Sequence, residues 1–210
     1  IVDYKATFRR QGTIEDVIKG LVLCNELPYV RYAMPLVTPS DTPPFMSDLY
    51  GYYLCALYSR KPYHVYIMTP EAAGQILRIA QIAAPGEKTH VRYLLEPNGA
   101  LSYDDFSLEM ALIFADAGHG FDLAPMAMAG LDAPVTLAGT LVMQNAYNLI
   151  CNVIAYLWDM PGAWSGSAHT MDLRSSLCSF GSPNQVLIAL AAIQLGHWYG
   201  FETHANTALT

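Results

Sequence analysis

A chain of 210 residues, 53% hydrophobic and only 14% charged, can bury one substantial core and is too apolar to be a disordered segment. Its formal net charge of -7, with no run of Lys or Arg, gives no electrostatic footprint for nucleic acid or anionic lipid. Cys24, Cys55, Cys151 and Cys178 are far apart and form no C-x-x-C pair, which reads as reduced thiols in cytoplasm.

In chain order, Thr13 is placed to cap a helix, with Glu15 and Asp16 in its first turn and Ile14, Val17, Ile18, Leu21 and Val22 at helical spacing. That helix should end near Asn25. Tyr29 to Val37 reads as a strand, Pro44 to Tyr58 as a helix, and Tyr63 to Met68 as a strand rich in β-formers. A helix from Pro70 carries Ala73, Ile76, Leu77, Ala80 and Ile82 on one face and is stopped by Pro85-Gly86. Thr89 to Leu95 is a strand. Ser102 is placed to cap the next helix, which runs through Asp104 and Asp105 to Asp116 and closes at Gly118. Gly120 to Pro125 is a strand, followed by the long uncharged stretch Ala133 to Trp158, for which Pro134 suits a first helical turn. A short strand at Ala163 to Ser167, a helix from Pro183 to Tyr199 and a strand around Phe201 to Asn206 complete the series.

The uncharged stretch is long enough to cross a bilayer. Gln144, Asn145, Asn148 and Asn152 lie in its middle, and burying such amides in hydrocarbon without partners costs roughly 1–3 kcal/mol each, so a buried helix of a globular core is expected. Strands alternating with helices, with no linker between them, predict one α/β domain over residues 1–210 built on a parallel sheet, either open or closed into a barrel. The N-terminus, Ile1-Val2-Asp3-Tyr4-Lys5, has no initiator Met and no signal-peptide pattern, and the chain stops at Ala208-Leu209-Thr210 soon after a strand begins, so a piece truncated at both ends is expected. No G-x-G-x-x-G or G-x-x-x-x-G-K-[ST] turn follows a strand, which argues against dinucleotide or nucleoside triphosphate binding. His64, His90, His119, His197 and His204 show no metal-ligand spacing, so no protein-bound metal is expected.

One string is specific: Ala-Pro-Met-Ala-Met-Ala-Gly-Leu-Asp-Ala-Pro-Val-Thr-Leu-Ala-Gly-Thr-Leu-Val-Met-Gln-Asn, from Ala124 to Asn145. With Lys61-Pro62, Met171-Asp172-Leu173-Arg174, Gly181-Ser182-Pro183, Arg9-Arg10 and the stretch Thr38 to Pro43, it resembles the trimethylamine methyltransferase family over nearly the whole chain. The resemblance implies a (β/α)8 TIM-type barrel, incomplete here at about six βα units. It also implies an enzyme that moves a methyl group from a methylated tertiary or quaternary amine to the cob(I)alamin of a separate corrinoid protein. The cofactor is then a corrinoid carried by that partner. A membrane or nucleic-acid partner is not implied, and a homo-oligomer stays open. The sequence departs from the family at Tyr147, where members commonly carry Glu, at Asn184, where an acidic residue is favoured, and at Asp159-Met160. A non-catalytic homologue that still binds a small methylated amine is the alternative reading.

Such chemistry needs an oriented methyl group, a desolvated cation and an aromatic or carboxylate lining, and barrel enzymes place these at the C-terminal ends of strands. The aromatic candidates are Tyr66, Tyr93, Trp164 and Phe121, each of which could equally be a packing residue. Among post-strand polar groups, Glu96 could face a cationic substrate with Asn98 beside it, or both could simply form a turn. His169 could contact a substrate carboxylate or the corrinoid, and Asp172 could bind substrate or pair with Arg174. Gly130, Thr136 and Gly139 are the candidates for approach to a corrin ring, against plain capping and helix packing.

Overall fold

The computed structural model describes residues 10–67, 69–86 and 90–205. Arg9, Met68, Thr89, Asn206 and the stretches 1–5 and 208–210 singled out above lie outside them. The chain divides into two compact units, one from Ile1–Tyr93 with Met110–Gly120, the other from Leu94–Glu109 with Phe121–Thr210.

The first unit opens with α1 (Ile14–Glu26). Its start is fixed by one carboxylate: Asp16 accepts hydrogen bonds from the Thr13 backbone N–H and hydroxyl, both at 2.9 Å, and a two-pronged contact from the Arg10 guanidinium at 2.5 and 2.7 Å. These donors hold the Asp16 carboxyl well below the usual carboxylate range. A 3-10 turn at Pro44–Met46 leads into α2 (Ser47–Tyr58), as the Pro44 to Tyr58 reading anticipated. Then follow β1 (Tyr63–Val65), α3 (Pro70–Ala83), β2 (Val91–Leu95) and α4 (Asp105–Asp116), whose residues from Met110 onward pack in this unit. Strands β1 and β2 are parallel, with Tyr63, His64 and Val65 opposite Val91, Arg92 and Tyr93. Val17, Leu21, Cys55, Val65, Ile76, Val91, Met110 and Phe114 are fully buried at the centre.

Several strands are shorter than the sequence suggests, among them those at Phe121–Leu123 and Trp164–Ser165, and in this unit two shortfalls have local reasons. Only Ala33 of the stretch Tyr29 to Val37 bridges to Tyr63, because Pro35 has no N–H with which to continue a ladder. Strand β1 stops at Val65 because the Tyr52 hydroxyl takes both backbone groups of Tyr66, accepting from its N–H at 2.7 Å and facing its carbonyl at 3.0 Å. The start of α4 also differs from expectation. Asp104, not Ser102, supplies the capping oxygen, accepting the Ser107 N–H at 2.5 Å.

The second unit contains the C-terminal end of β2, β3 (Phe121–Leu123), β4 (Met128–Ala129), α5 (Leu137–Leu157), β5 (Trp164–Ser165), β6 (His169–Asp172), β7 (Leu177–Ser179), α6 (Pro183–Tyr199) and β8 (Thr203–His204). The Ala124 N–H donates to Leu95 O at 3.0 Å; β4 and β6 are parallel, β6 and β7 antiparallel, and β5 and β8 parallel. Helices and parallel strand pairs make this an α/β fold. The segments β4, β6 and β7 are additions to the expected strand series. Helix α5 begins at Leu137 with Thr136 as its cap, so Pro134 lies ahead of the helix rather than in its first turn.

The amides of α5 explain how an uncharged helix can be buried. Gln144, Asn148 and Asn152 recur every four residues on one face and bind the chain beside them in place of a neighbouring strand. Gln144 donates to Pro125 O and Ser165 O and accepts the Ala127 N–H. Asn148 pairs with both backbone groups of Ser165, and Asn152 with both of Ala163. Among the described residues no helix is long and apolar enough to cross a membrane.

Candidate functional site

At the C-terminal end of β2 the chain delivers Glu96, whose backbone is biased to an extended conformation by Pro97. The carboxylate is half-buried, no described residue brings it a cation, and burial alone pushes its carboxyl up from the usual range. The turn that follows is tightly closed. Asn98 N–H donates to Ser102 O at 3.2 Å, Ser102 N–H to Gly99 O at 3.3 Å, and Leu101 sits at φ +55°, a left-handed conformation costly for a branched side chain.

That turn is held from below by Tyr147 of α5, which has no exposed surface. Its hydroxyl accepts the Leu101 N–H at 3.4 Å and lies 3.0 Å from both Gly99 O and Asp132 Oδ2, its single hydrogen serving these two acceptors. Asp132 in turn accepts the Met128 N–H at 2.6 Å through Oδ1. Burial, helped by the Asp132 carboxylate, pushes the Tyr147 phenol up to about 12.

A second polar group lies beyond β5. Ser165, Ser167 and His169 are all buried, and Ser165 Oγ donates to Ser167 Oγ at 2.8 Å. The Gln185 carboxamide of α6 is oriented by the Gly181 N–H, which donates to its Oε1 at 2.6 Å, so its NH2 faces His169 Nδ1 at 2.8 Å. Nδ1 must therefore accept, and the neutral imidazole carries its hydrogen on Nε2, a buried donor with no partner among the described residues. Burial holds the His169 pKa below its ordinary value.

The other candidates have local employment. Tyr93 is buried against Phe114 with ring centroids 5.8 Å apart, Trp164 is stacked with Tyr199 and with Phe201, and Phe121 packs edge-on to Trp158. Asn98 donates to Asp104 Oδ2 at 2.7 Å, a turn contact. Asp172 is exposed and bonded to the Arg174 N–H and the Ser175 hydroxyl, so it closes a turn through the backbone of Arg174. Thr136 Oγ1 accepts the Gly139 N–H as a helix cap. A side chain at Gly139 would strike Pro134 Cβ at 2.6 Å, and Gly130 serves a turn at φ +86° beside Leu173. Capping and close packing thus account for Gly130, Thr136 and Gly139. In the first unit, half-exposed Tyr66 borders a cavity of about 310 Å³ with Met34, Asp48 and Tyr52.

Sequence reasoning missed Tyr147, Asp132 and Gln185 as parts of these networks. All four cysteines are free. Among the described residues no group of His, Cys, Asp or Glu is gathered as a metal site requires.

Comparison with known proteins is informative along the whole chain. A family model described as trimethylamine methyltransferase (MTTB) matches residues 1–210. The glycine betaine methyltransferase of Desulfitobacterium hafniense (strain Y51) is 29% identical over 181 residues, 83% of this chain and 38% of that protein. Trimethylamine methyltransferase MttB2 of Methanosarcina mazei is 37% identical over 114 residues, 53% of this chain and 23% of its own length. Trimethylamine methyltransferase MttB of Desulfitobacterium hafniense (strain DSM 10664 / DCB-2) is 25% identical over 208 residues, 95% of this chain and 42% of its own. The chain thus spans less than half the length of these relatives.

Proposed function

The chain belongs to the trimethylamine methyltransferase family, and from that premise we propose that it forms part of a (β/α)8-barrel enzyme moving a methyl group from a methylated tertiary or quaternary amine to a corrinoid held by a separate protein, in the cytoplasm. The observation that carries this reading is Glu96: a half-buried carboxylate at a strand's C-terminal end, without a cationic partner among the described residues. A desolvated carboxylate costs free energy in the folded state, and a quaternary or protonated amine is the kind of ligand that recovers it.

The reduced corrinoid supplies the nucleophile. Because the amine departs neutral, this chain need provide no general acid. Its work is to desolvate the cation and orient one methyl group. Glu96 attracts the cation most strongly before transfer, when the positive charge is whole, so its contribution is to binding rather than to the transition state. Loss of Glu96 should therefore raise KM more than it lowers kcat. No residue is assigned to the corrin ring, since Gly130, Thr136 and Gly139 are accounted for by local structure.

The test is to incubate the intact protein with a corrinoid protein reduced to cob(I)alamin and a panel of methylated amines, following methylcobalamin by absorbance. Formation of methylcobalamin, weakened by Glu96→Gln at subsaturating amine, supports the reading. Amine binding without methyl transfer would replace it with a non-catalytic amine-binding homologue.

A further inference from the structure

We propose that Tyr147 is a positioning residue: by clamping the strained turn at Gly99 and Leu101, its hydroxyl fixes where the Glu96 carboxylate meets a cationic ligand. The inference rests on the assignment of Glu96 above.

The geometry runs through three segments of the second unit. Glu96 leaves β2, which is tied at Leu95 O to the Ala124 N–H at 3.0 Å, and Pro97 removes rotational freedom from the next step. The chain then enters the turn in which Leu101 adopts φ +55°. Such a conformation persists only where surrounding contacts over-determine it. Tyr147 supplies those contacts by meeting the N–H of Leu101 and the carbonyl of Gly99 with one hydroxyl, while Asp132 fixes that hydroxyl against the turn at Met128. Glu96 is thus held between a strand on one side and a clamped turn on the other. A phenol of fixed length on a long helix sets that distance more rigidly than a flexible carboxylate side chain would.

The test is a double-mutant cycle on the intact protein, with tetramethylammonium and glycine betaine as probes and calorimetry as the readout. Glu96→Gln is expected to weaken binding about tenfold and Tyr147→Phe about fivefold. In the Glu96→Gln background, Tyr147→Phe should have no further effect on affinity, although it still lowers the melting temperature. A merely structural Tyr147 would lower the melting temperature in both backgrounds and leave affinity unchanged, or would weaken binding equally in both; either result overturns the positioning role while sparing Glu96. Unchanged affinity in Glu96→Gln alone overturns the Glu96 assignment and this inference with it. Should Tyr147→Phe fail to fold, Asp132→Asn, which keeps an acceptor for Met128, is run through the same cycle with the same criteria.

Discussion

Asn148 and Ser165 exchange two hydrogen bonds, the Ser165 N–H donating to Asn148 Oδ1 at 2.8 Å and Asn148 Nδ2 donating to Ser165 O at 2.9 Å, so a helix side chain does the work of a neighbouring strand. Replacing Asn148 with Leu leaves the backbone N–H of the fully buried Ser165 unpaired, while Ser165 O keeps only its bond from Gln144 Nε2. At about 1–3 kcal/mol per unsatisfied group, the variant should unfold at markedly lower denaturant concentration with an unchanged m-value. Asn152→Leu is expected to cost less, because Asn152 and Ala163 are only partly buried.

The helices were legible because their signals are local. Thr13 with Asp16, Pro70 and Pro183 each mark a start that the structure keeps. Strand limits were not, since they depend on distant partners: Tyr52 ends β1 by occupying Tyr66, and nothing near Tyr66 in sequence says so. The short β4, β6 and β7 carry too few residues to show a period. Glu96 and His169 could be named from their place after a strand. The want of a cationic partner at Glu96 among the described residues and the tautomer fixed on His169 by Gln185 could not, because both depend on what the fold brings near.

His169 should contribute to acid lability. Its folded pKa is lowered by burial, so the unfolded chain takes up its proton first as pH falls below about 6.5. Stability is therefore lost as pH drops from that value toward the folded pKa. In a His169→Gln variant, thermal melts between pH 7 and 5 should fall less steeply than in the wild type.

Asp16 acts lower on the pH scale. Its carboxyl is depressed by Arg10 and Thr13, so its stabilisation is fully present above the ordinary carboxylate pKa of about 4 and is lost as pH falls toward the folded value. Asp16→Asn should lower the melting temperature at pH 7 and narrow the gap from wild type at pH 3.

Gly196 leaves room for the buried Trp164. A Cβ there would come within 2.6 Å of Thr203 Cγ2 and 2.7 Å of Trp164 Cγ. Trp164 is stacked on Tyr199 and Phe201 and has little freedom to give way. Gly196→Ala gains helix propensity of about 1 kcal/mol but should be destabilising overall, because overpacking costs about 1–3 kcal/mol. Loss of the near-UV dichroism of Trp164 together with a lower melting temperature is expected; an unchanged spectrum with a raised melting temperature would contradict the packing described.

Glu96 offers the sharpest opposition between stability and binding. Burial raises its folded pKa above the unfolded value, so the folded state holds this proton more tightly, and its contribution to stability declines as pH rises from about 4 through the folded pKa. Once ionised, the buried carboxylate is therefore a cost. Glu96→Gln removes it and should raise the melting temperature of the free protein. A cationic amine favours the ionised form, so wild-type affinity should strengthen as pH rises through the Glu96 pKa, whereas the affinity of Glu96→Gln should stay flat over that range. A variant that melts higher when free and binds amine more weakly fits a carboxylate kept for a ligand. A variant that melts lower would mean that Glu96 is satisfied within the fold, and the cation site would have to be sought elsewhere.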